Sequence, residues 1–263
     1  MTQQFKWGLV ASMLMATGLA HATSVTIPAG TPYYGTPFYG ATVSGVANLS
    51  LSSDMLATLD TVRASMGAYG AAVGTVQKDT DGYYTQASVA MPVSSLTIDT
   101  VAIAPLGVTT AGGLTLSMPA LKSISSGGSL TVTDLNIDLA NKKVYATLIG
   151  SNGLGTVKNA YLWDIGSVTG PELITGFDSH CGAYNDCQYL APGMTLTGLR
   201  FTSGSYTQFS QALGLSQLGW AAFDGPADFG TITMGVVPEP GTPALMGLGL
   251  AGLLIGKRRR QGA

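Results

Sequence analysis

Apolar and polar residues alternate with a period of two through most of the chain. The clearest runs are Ser88–Met91, Leu96–Val101, Leu114–Ser117, Leu130–Leu139, Lys143–Ile149, Ala160–Ile165 and Leu196–Thr202. That period sends successive side chains to opposite faces of a strand. Turn signals separate the runs: Asp81-Gly82, Gly112-Gly113, Gly127-Gly128, Ala140-Asn141, the glycines of 150–155, and Pro192-Gly193. Asn141 and Lys142 are expected to turn a hairpin between Leu130–Leu139 and Lys143–Ile149. Helical spacing occurs twice. Ser53 as N-cap, followed by Leu56, Leu59, Val62 and Met66 on one stripe, predicts a helix over 53–66. Arg63 falls in its last turn, and Gly67 suits the left-handed position that ends it. Ser205 and Gln208 form a capping-box pattern, and Phe209 and Leu213 give the apolar side of a helix over 205–213, ended by Gly214. The whole predicts a mainly β domain, an antiparallel sandwich or barrel with two short helices. A β-solenoid is the alternative, but no steady repeat supports it.

The ends of the chain follow different rules. Lys6 and the amino terminus give a short positive region, Trp7 to Ala20 an apolar one, and Ala20-His21-Ala22 a small-residue cleavage site. Residues 1–22 therefore read as a signal peptide for signal peptidase, with Thr23 as the first mature residue. At the other end Pro238-Glu239-Pro240 precedes an apolar run, Ala244 to Gly256, and then Lys257, Arg258, Arg259 and Arg260. Thirteen helical residues reach only about 20 Å, short of a hydrocarbon core roughly 30 Å thick. Snorkelling lysine and arginine stems extend such a run, and the basic cluster fixes its end in the cytoplasm. The expected organisation is a signal helix over 1–22, a β-rich extracellular domain over 23–236, and a sorting and anchor segment with a membrane helix over 237–263.

In order and position, this tail resembles the PEP-CTERM sorting signal of Gram-negative bacteria. The resemblance implies recognition by an exosortase and removal near Pro238-Glu239-Pro240. It also implies transient residence in the inner membrane, export to the cell surface or extracellular matrix, and a connection with exopolysaccharide and biofilm. A looser resemblance links the body to β-rich surface domains related to haemin-trafficking proteins. It runs through the helix at Ser53–Leu59, Met91-Pro92-Val93, Gly112–Ser117 and Leu130–Asp138. The aromatic-and-arginine motif that carries haem in that family is not found here, so the likeness implies a β-rich domain only.

Charge narrows the function classes. Only 10% of residues are charged. Between Thr23 and Val236 seven basic residues face thirteen acidic ones, a formal charge of −6. An acidic body offers no field to a nucleic acid. A hydrophobic content of 46% excludes intrinsic disorder. The 36 glycines keep no period of three, which excludes collagen.

Candidate chemistry is sparse. Cys181 and Cys187 are expected to form a disulfide in an oxidising compartment. A Cys181–His180 nucleophilic pair and a metal site of His180, Cys181, Asp186 and Cys187 are the sharper alternatives, but the spacing matches no standard zinc module. His180 is the one histidine outside the signal, and Glu172 and Glu239 are the only glutamates. No nucleophile elbow, P-loop or zincin motif occurs. Asp79-Thr80-Asp81-Gly82 fails the calcium-loop pattern and reads as a turn. Asp134, Asn136 and Asp138 read as the solvated face of a strand. A direct repeat, Thr31–Gly35 and Thr36–Gly40, displays aromatic rings that could stack on sugars or pack on the domain. The expected role is structural or adhesive, with no cofactor and no metal. A carbohydrate- or haem-binding module is the second reading and a secreted hydrolase the weakest.

Overall fold

A computed structural model describes residues 24–35, 42–102, 104–170, 188–190, 193–224, 226 and 228–235. The strands are β1 (Ser24–Pro28), β2 (Thr42–Ser44) and β3 (Val46–Leu51), then helix α1 (Ser53–Thr61). Next come β4 (Ser65–Tyr69), β5 (Val73–Lys78), β6 (Tyr84–Asp99), β7 (Ala104–Thr110), β8 (Gly113–Leu121), β9 (Ser125–Asp138), β10 (Lys143–Gly150), β11 (Gly155–Thr169) and β12 (Gln188–Leu190). The chain continues through β13 (Met194–Phe201), α2 (Ser203–Leu213), α3 (Gln217–Asp224) and β14 (Gly230–Gly235).

Eight strands close on themselves in the order β6-β3-β14-β13-β11-β10-β9-β7, and β7 returns to β6. Every pairing in this ring is antiparallel. Of the two architectures expected from the alternation, the chain forms the barrel. Closure satisfies both edges of each member strand, and the inward period-two positions fill the interior. Leu49, Val89, Met91, Leu135, Ile137, Val144, Leu148, Leu162, Leu196 and Ile232 are all buried. Each such side chain contributes about 1.5–3 kcal/mol by leaving water.

The two ends of the barrel differ. At one end only β7 stands between β6 and β9. At the other, β8 pairs with β9, β5 pairs with β6, and β4 pairs with β8. Strands β4 and β5, joined by a turn in which Ala72 N–H bonds Tyr69 C=O, thus lie between β8 and β6 as a wedge at that end. Pro92 lies where the neighbour of β6 changes from β5 to β7, between Val73 opposite Ala90 and Thr110 opposite Val93. Its missing N–H breaks no ladder bond there. The runs expected at 88–91 and 96–101 therefore join through Met91-Pro92-Val93 into the single strand β6.

The helices depart from expectation in three ways. Helix α1 is capped by Ser52, whose Oγ accepts from Met55 N–H at 3.1 Å, and it stops at Thr61. Arg63 takes the left-handed conformation (φ 52°), and Met66 and Gly67 belong to β4, paired with Leu116 and Thr115. The pairing overrides the helical stripe. Helix α2 starts at Ser203, with Thr202 rather than Ser205 as its cap, and ends at left-handed Gly214 as expected. A third helix, α3, joins the two expected. Its Leu218 and Trp220 face solvent while Gly219 and Phe223 are buried, so no amphipathic stripe announces it.

Candidate functional site

The helices close the wide end. The Thr202 hydroxyl accepts from Ser205 N–H at 3.1 Å and donates to Tyr161 C=O at 2.8 Å, which ties the start of α2 to the barrel wall. The Ser125 hydroxyl donates to Leu213 C=O at 2.6 Å and holds the other end of α2 on β9. Beneath the helices lies an aromatic cluster. Trp163 is fully buried with its ring 4.5 Å from Phe229, and Phe201 packs edge-on against Phe209 and Phe229 at 4.8 and 5.2 Å. Edge-to-face rings at these distances add about 0.5–1.5 kcal/mol beyond burial.

A cleft of about 370 Å³ opens over this cluster, between the end of β13 and helices α2 and α3. Phe201, Tyr206 and Phe223 supply its apolar walls, and Arg200 and Asp224 its charged groups. The Tyr206 hydroxyl donates to Trp220 C=O at 2.7 Å. Burial, and then the nearby Asp224 carboxylate, push the Tyr206 phenol above its ordinary pKa, so it stays neutral at physiological pH. Ring faces beside one cation and one carboxylate suit a small ligand with an apolar face and hydroxyl edges.

The outer wall is rich in hydroxyls. Thr26 bonds Thr97 at 2.9 Å, and Ser94 and Ser95 bond Thr109 at 2.8 and 2.6 Å, across neighbouring strands. On β10 and β11 the rings of Tyr145 and Tyr161 lie 5.2 Å apart, with the Lys143 ammonium 4.8 Å from the Tyr161 ring. The Tyr161 hydroxyl donates to the Asp164 carboxylate. That bond is the main cause of a Tyr161 pKa pushed up to about 12.

The first and last described strands meet at the narrow end. Ser24 pairs with Asp99 at the far end of β6, and Gly235 at the end of β14 pairs with Val46. Asp99 accepts from Val101 and Ala102 N–H at 2.8 and 3.0 Å, which shapes the β6–β7 turn and lowers the carboxyl pKa.

Several residues singled out in the sequence have structural work. Asp79 Oδ1 accepts from Asp81 and Tyr83 N–H at 3.0 and 2.8 Å, and Gly82 is left-handed, so 79–82 is a turn. Asp138 accepts from Asn141 N–H and Nδ2–H at 2.9 and 2.8 Å and forms the expected β9–β10 hairpin. In the first half of the direct repeat Tyr33 packs against the core and Tyr34 is exposed; Thr36–Gly40 lie outside the described residues. Also outside them lie Ala20, Ala22, Thr23, His180, Cys181, Asp186, Cys187, Pro238, Glu239, Pro240 and Lys257 to Arg260. The same holds for the expected signal and membrane helices. No helix among the described residues is long and apolar enough to cross a membrane. The cleft was missed because its walls come from β13, α2, α3 and the segment before β14, and no spacing in the chain links them.

Residues 236–260 match the PEP-CTERM protein-sorting motif. The match covers the triplet, the apolar run and the basic cluster, and begins at the residue after β14. It implies recognition by an exosortase and export across the inner membrane toward the cell surface. No curated protein and no solved structure matches the chain.

Proposed function

We propose that this protein is a structural or adhesive component of the extracellular matrix, delivered by exosortase processing and held among exopolysaccharide. The single observation that carries the reading is the sorting motif, which begins directly after the last barrel strand. The proposed organisation is a signal peptide over 1–22, a β-domain over 23–236, and a sorting segment over 237–263 that passes through the membrane before removal. The hydroxyl-bearing, sparsely charged wall supports the reading, because it meets a hydrated polysaccharide without charge repulsion. Intact mass and localisation in cells with and without the exosortase provide the test. The expected mature form begins at Thr23, lacks Arg258 to Arg260, and accumulates outside the cell only when the enzyme is present. A surface form that keeps those arginines would replace the reading with a permanent anchor.

The cleft favours a second reading, a carbohydrate-binding module. A ring of Phe201 or Tyr206 would cover the C–H face of a sugar, and Arg200 and Asp224 would bond its hydroxyls. Calorimetry with fragments of the organism's own exopolysaccharide tests it. Arg200→Ala and Tyr206→Ala should each weaken binding at least tenfold; unchanged binding in both variants would remove the cleft from the account.

A further inference from the structure

The cleft over the aromatic cluster holds about 370 Å³, at the lower end of the roughly 300–1,000 Å³ of small-ligand sites. A polymer therefore fills it with a short stretch only, and its further units lie on whatever stands at the mouth. Trp220 stands there. It does not line the cleft, but its ring centroid is 4.8 Å from that of Tyr206, which does. The two ring planes meet at 87°, so the edge of one ring covers one face of the other. The contact leaves Trp220 39% exposed. Thr202 and Ser203 line the cleft beside the rings. Hydroxyls thus lie next to flat apolar faces, the complement of a pyranose with its C–H face and hydroxyl edges.

Helix α3 holds the indole in place. Ser216 N–H, just before the helix, donates to Ile124 C=O at 2.8 Å. The Thr58 hydroxyl donates to Ala222 C=O at 3.1 Å, and the Tyr206 hydroxyl to Trp220 C=O at 2.7 Å. These bonds tie α3 to the β8–β9 turn, to α1 and to α2. Gly219 lies so close to the Ile124 carbonyl that there is no room for a Cβ. A ring fixed in this way loses little freedom when a ligand covers it. Charge selects the ligand further. No side chain from Gln217 to Phe223 is charged, and in the cleft Arg200 and Asp224 balance each other. An uncharged rim on an acidic body favours a neutral chain over an anionic one.

We propose that Trp220 is an outer stacking subsite that makes the cleft a binder of single, neutral polysaccharide chains rather than of small sugars or ordered fibrils. The proposal rests on the carbohydrate reading of the cleft and deepens it. One sugar unit lies in the cleft against the Tyr206 ring, and a unit further along covers the exposed part of the indole. Two planes at 87° cannot both lie flat on one surface, so the face of a fibril engages one ring at most. A free chain that turns between units engages each ring in succession. Joining the two contacts through one chain gives the second a high effective concentration, which favours long chains over short ones.

The test is calorimetry on the purified exported protein with neutral fragments of the organism's own exopolysaccharide, sorted into two-unit and six-unit lengths. The unaltered protein should bind the longer fragments about tenfold more tightly. Trp220→Ala should erase that preference, and Trp220→Phe, which keeps a ring, should retain most of it. Thermal melts confirm that both variants fold. The protein should not sediment with microcrystalline cellulose. A preference that survives Trp220→Ala, no preference in the unaltered protein, or sedimentation with cellulose overturns the outer subsite and leaves the cleft reading intact. Tighter binding of acidic than of neutral fragments overturns the neutral-chain assignment. If no fragment binds at all, the cleft reading falls and takes the subsite with it.

Discussion

Gly112 and Asp134 exchange hydrogen bonds. Gly112 N–H donates to Asp134 Oδ1 at 3.2 Å, and Asp134 N–H donates to Gly112 C=O at 3.0 Å. Both residues are left-handed, with φ of 74° and 53°. The pair pins the joint between β7 and β8, where the wedge opens the barrel. A Cβ on Gly112 would lie 2.6 Å from Tyr69 O and 2.7 Å from Ala72 N, both backbone atoms of the turn between β4 and β5. Gly112→Ala should therefore cost about 2–5 kcal/mol from left-handed strain and overpacking. Asp134→Ala, which loses two partly buried bonds, from Gly112 N–H and from the Thr133 hydroxyl, should cost about 1–3 kcal/mol. Urea unfolding of both variants checks the ranking.

Trp163 is buried against Phe229, and its Nε1 has no hydrogen-bond partner. Trp163→Phe keeps an aromatic ring and removes the unpaired donor, so it should cost no more than about 2 kcal/mol. Trp163→Ala empties the site and should cost about 3–5 kcal/mol. Equal losses in the two melts would show that ring packing is not what Trp163 contributes.

The Tyr161–Asp164 bond predicts a pH dependence. Asp164 holds the phenol protonated, so Tyr161 titrates near 12 in the folded protein against about 10 when unfolded. Its contribution to stability is complete below pH 10. It declines as pH rises from 10 to 12, where the unfolded chain has released the proton and the folded one has not. Ultraviolet titration should find one tyrosine fewer ionising near pH 10 than in Asp164→Asn, where the phenol should return toward its ordinary value.

Cys181 and Cys187 are expected to form a disulfide in the exported protein. The chain-entropy relation gives so short a loop about 2 kcal/mol. The paired Cys181→Ser, Cys187→Ser variant should keep a β-dominated circular dichroism spectrum and melt a few degrees lower. Free reaction of both thiols with iodoacetamide in exported protein would return His180 and Cys181 to consideration as a site.

The barrel staves were legible wherever one face is buried and the other wet. Val144, Ala146 and Leu148 alternate with Tyr145 and Thr147 in this way, and β10 lies where the alternation puts it. Strand β5 was not legible, because all six of its residues are exposed and Val73 and Val76 fall on opposite faces. Met66 misled for the reverse reason. Its spacing from Val62 suits a helix, but bonding to β8 decides its conformation. The C-terminal sorting motif could be read at once, since it is a local pattern recognised in order along the chain. The cleft is assembled from distant segments and leaves no such trace.

The last strand of this barrel is not a terminal addition. Strand β14 stands between β13 and β3, and the hydroxyl of Thr233 reaches the carbonyl of Asn48, 185 residues away. Until β14 arrives, the facing edges of β3 and β13 have no partner, and the molecule is an open, curved sheet. A chain exported amino end first delivers β14 last of the described strands, immediately ahead of the sorting motif at 236–260. The final ring-closing step therefore waits for the strand that adjoins the sorting motif. Residues 24–229 alone lack that stave and should not melt cooperatively. Completion of the fold and presentation of the sorting triplet thus become a single event in time.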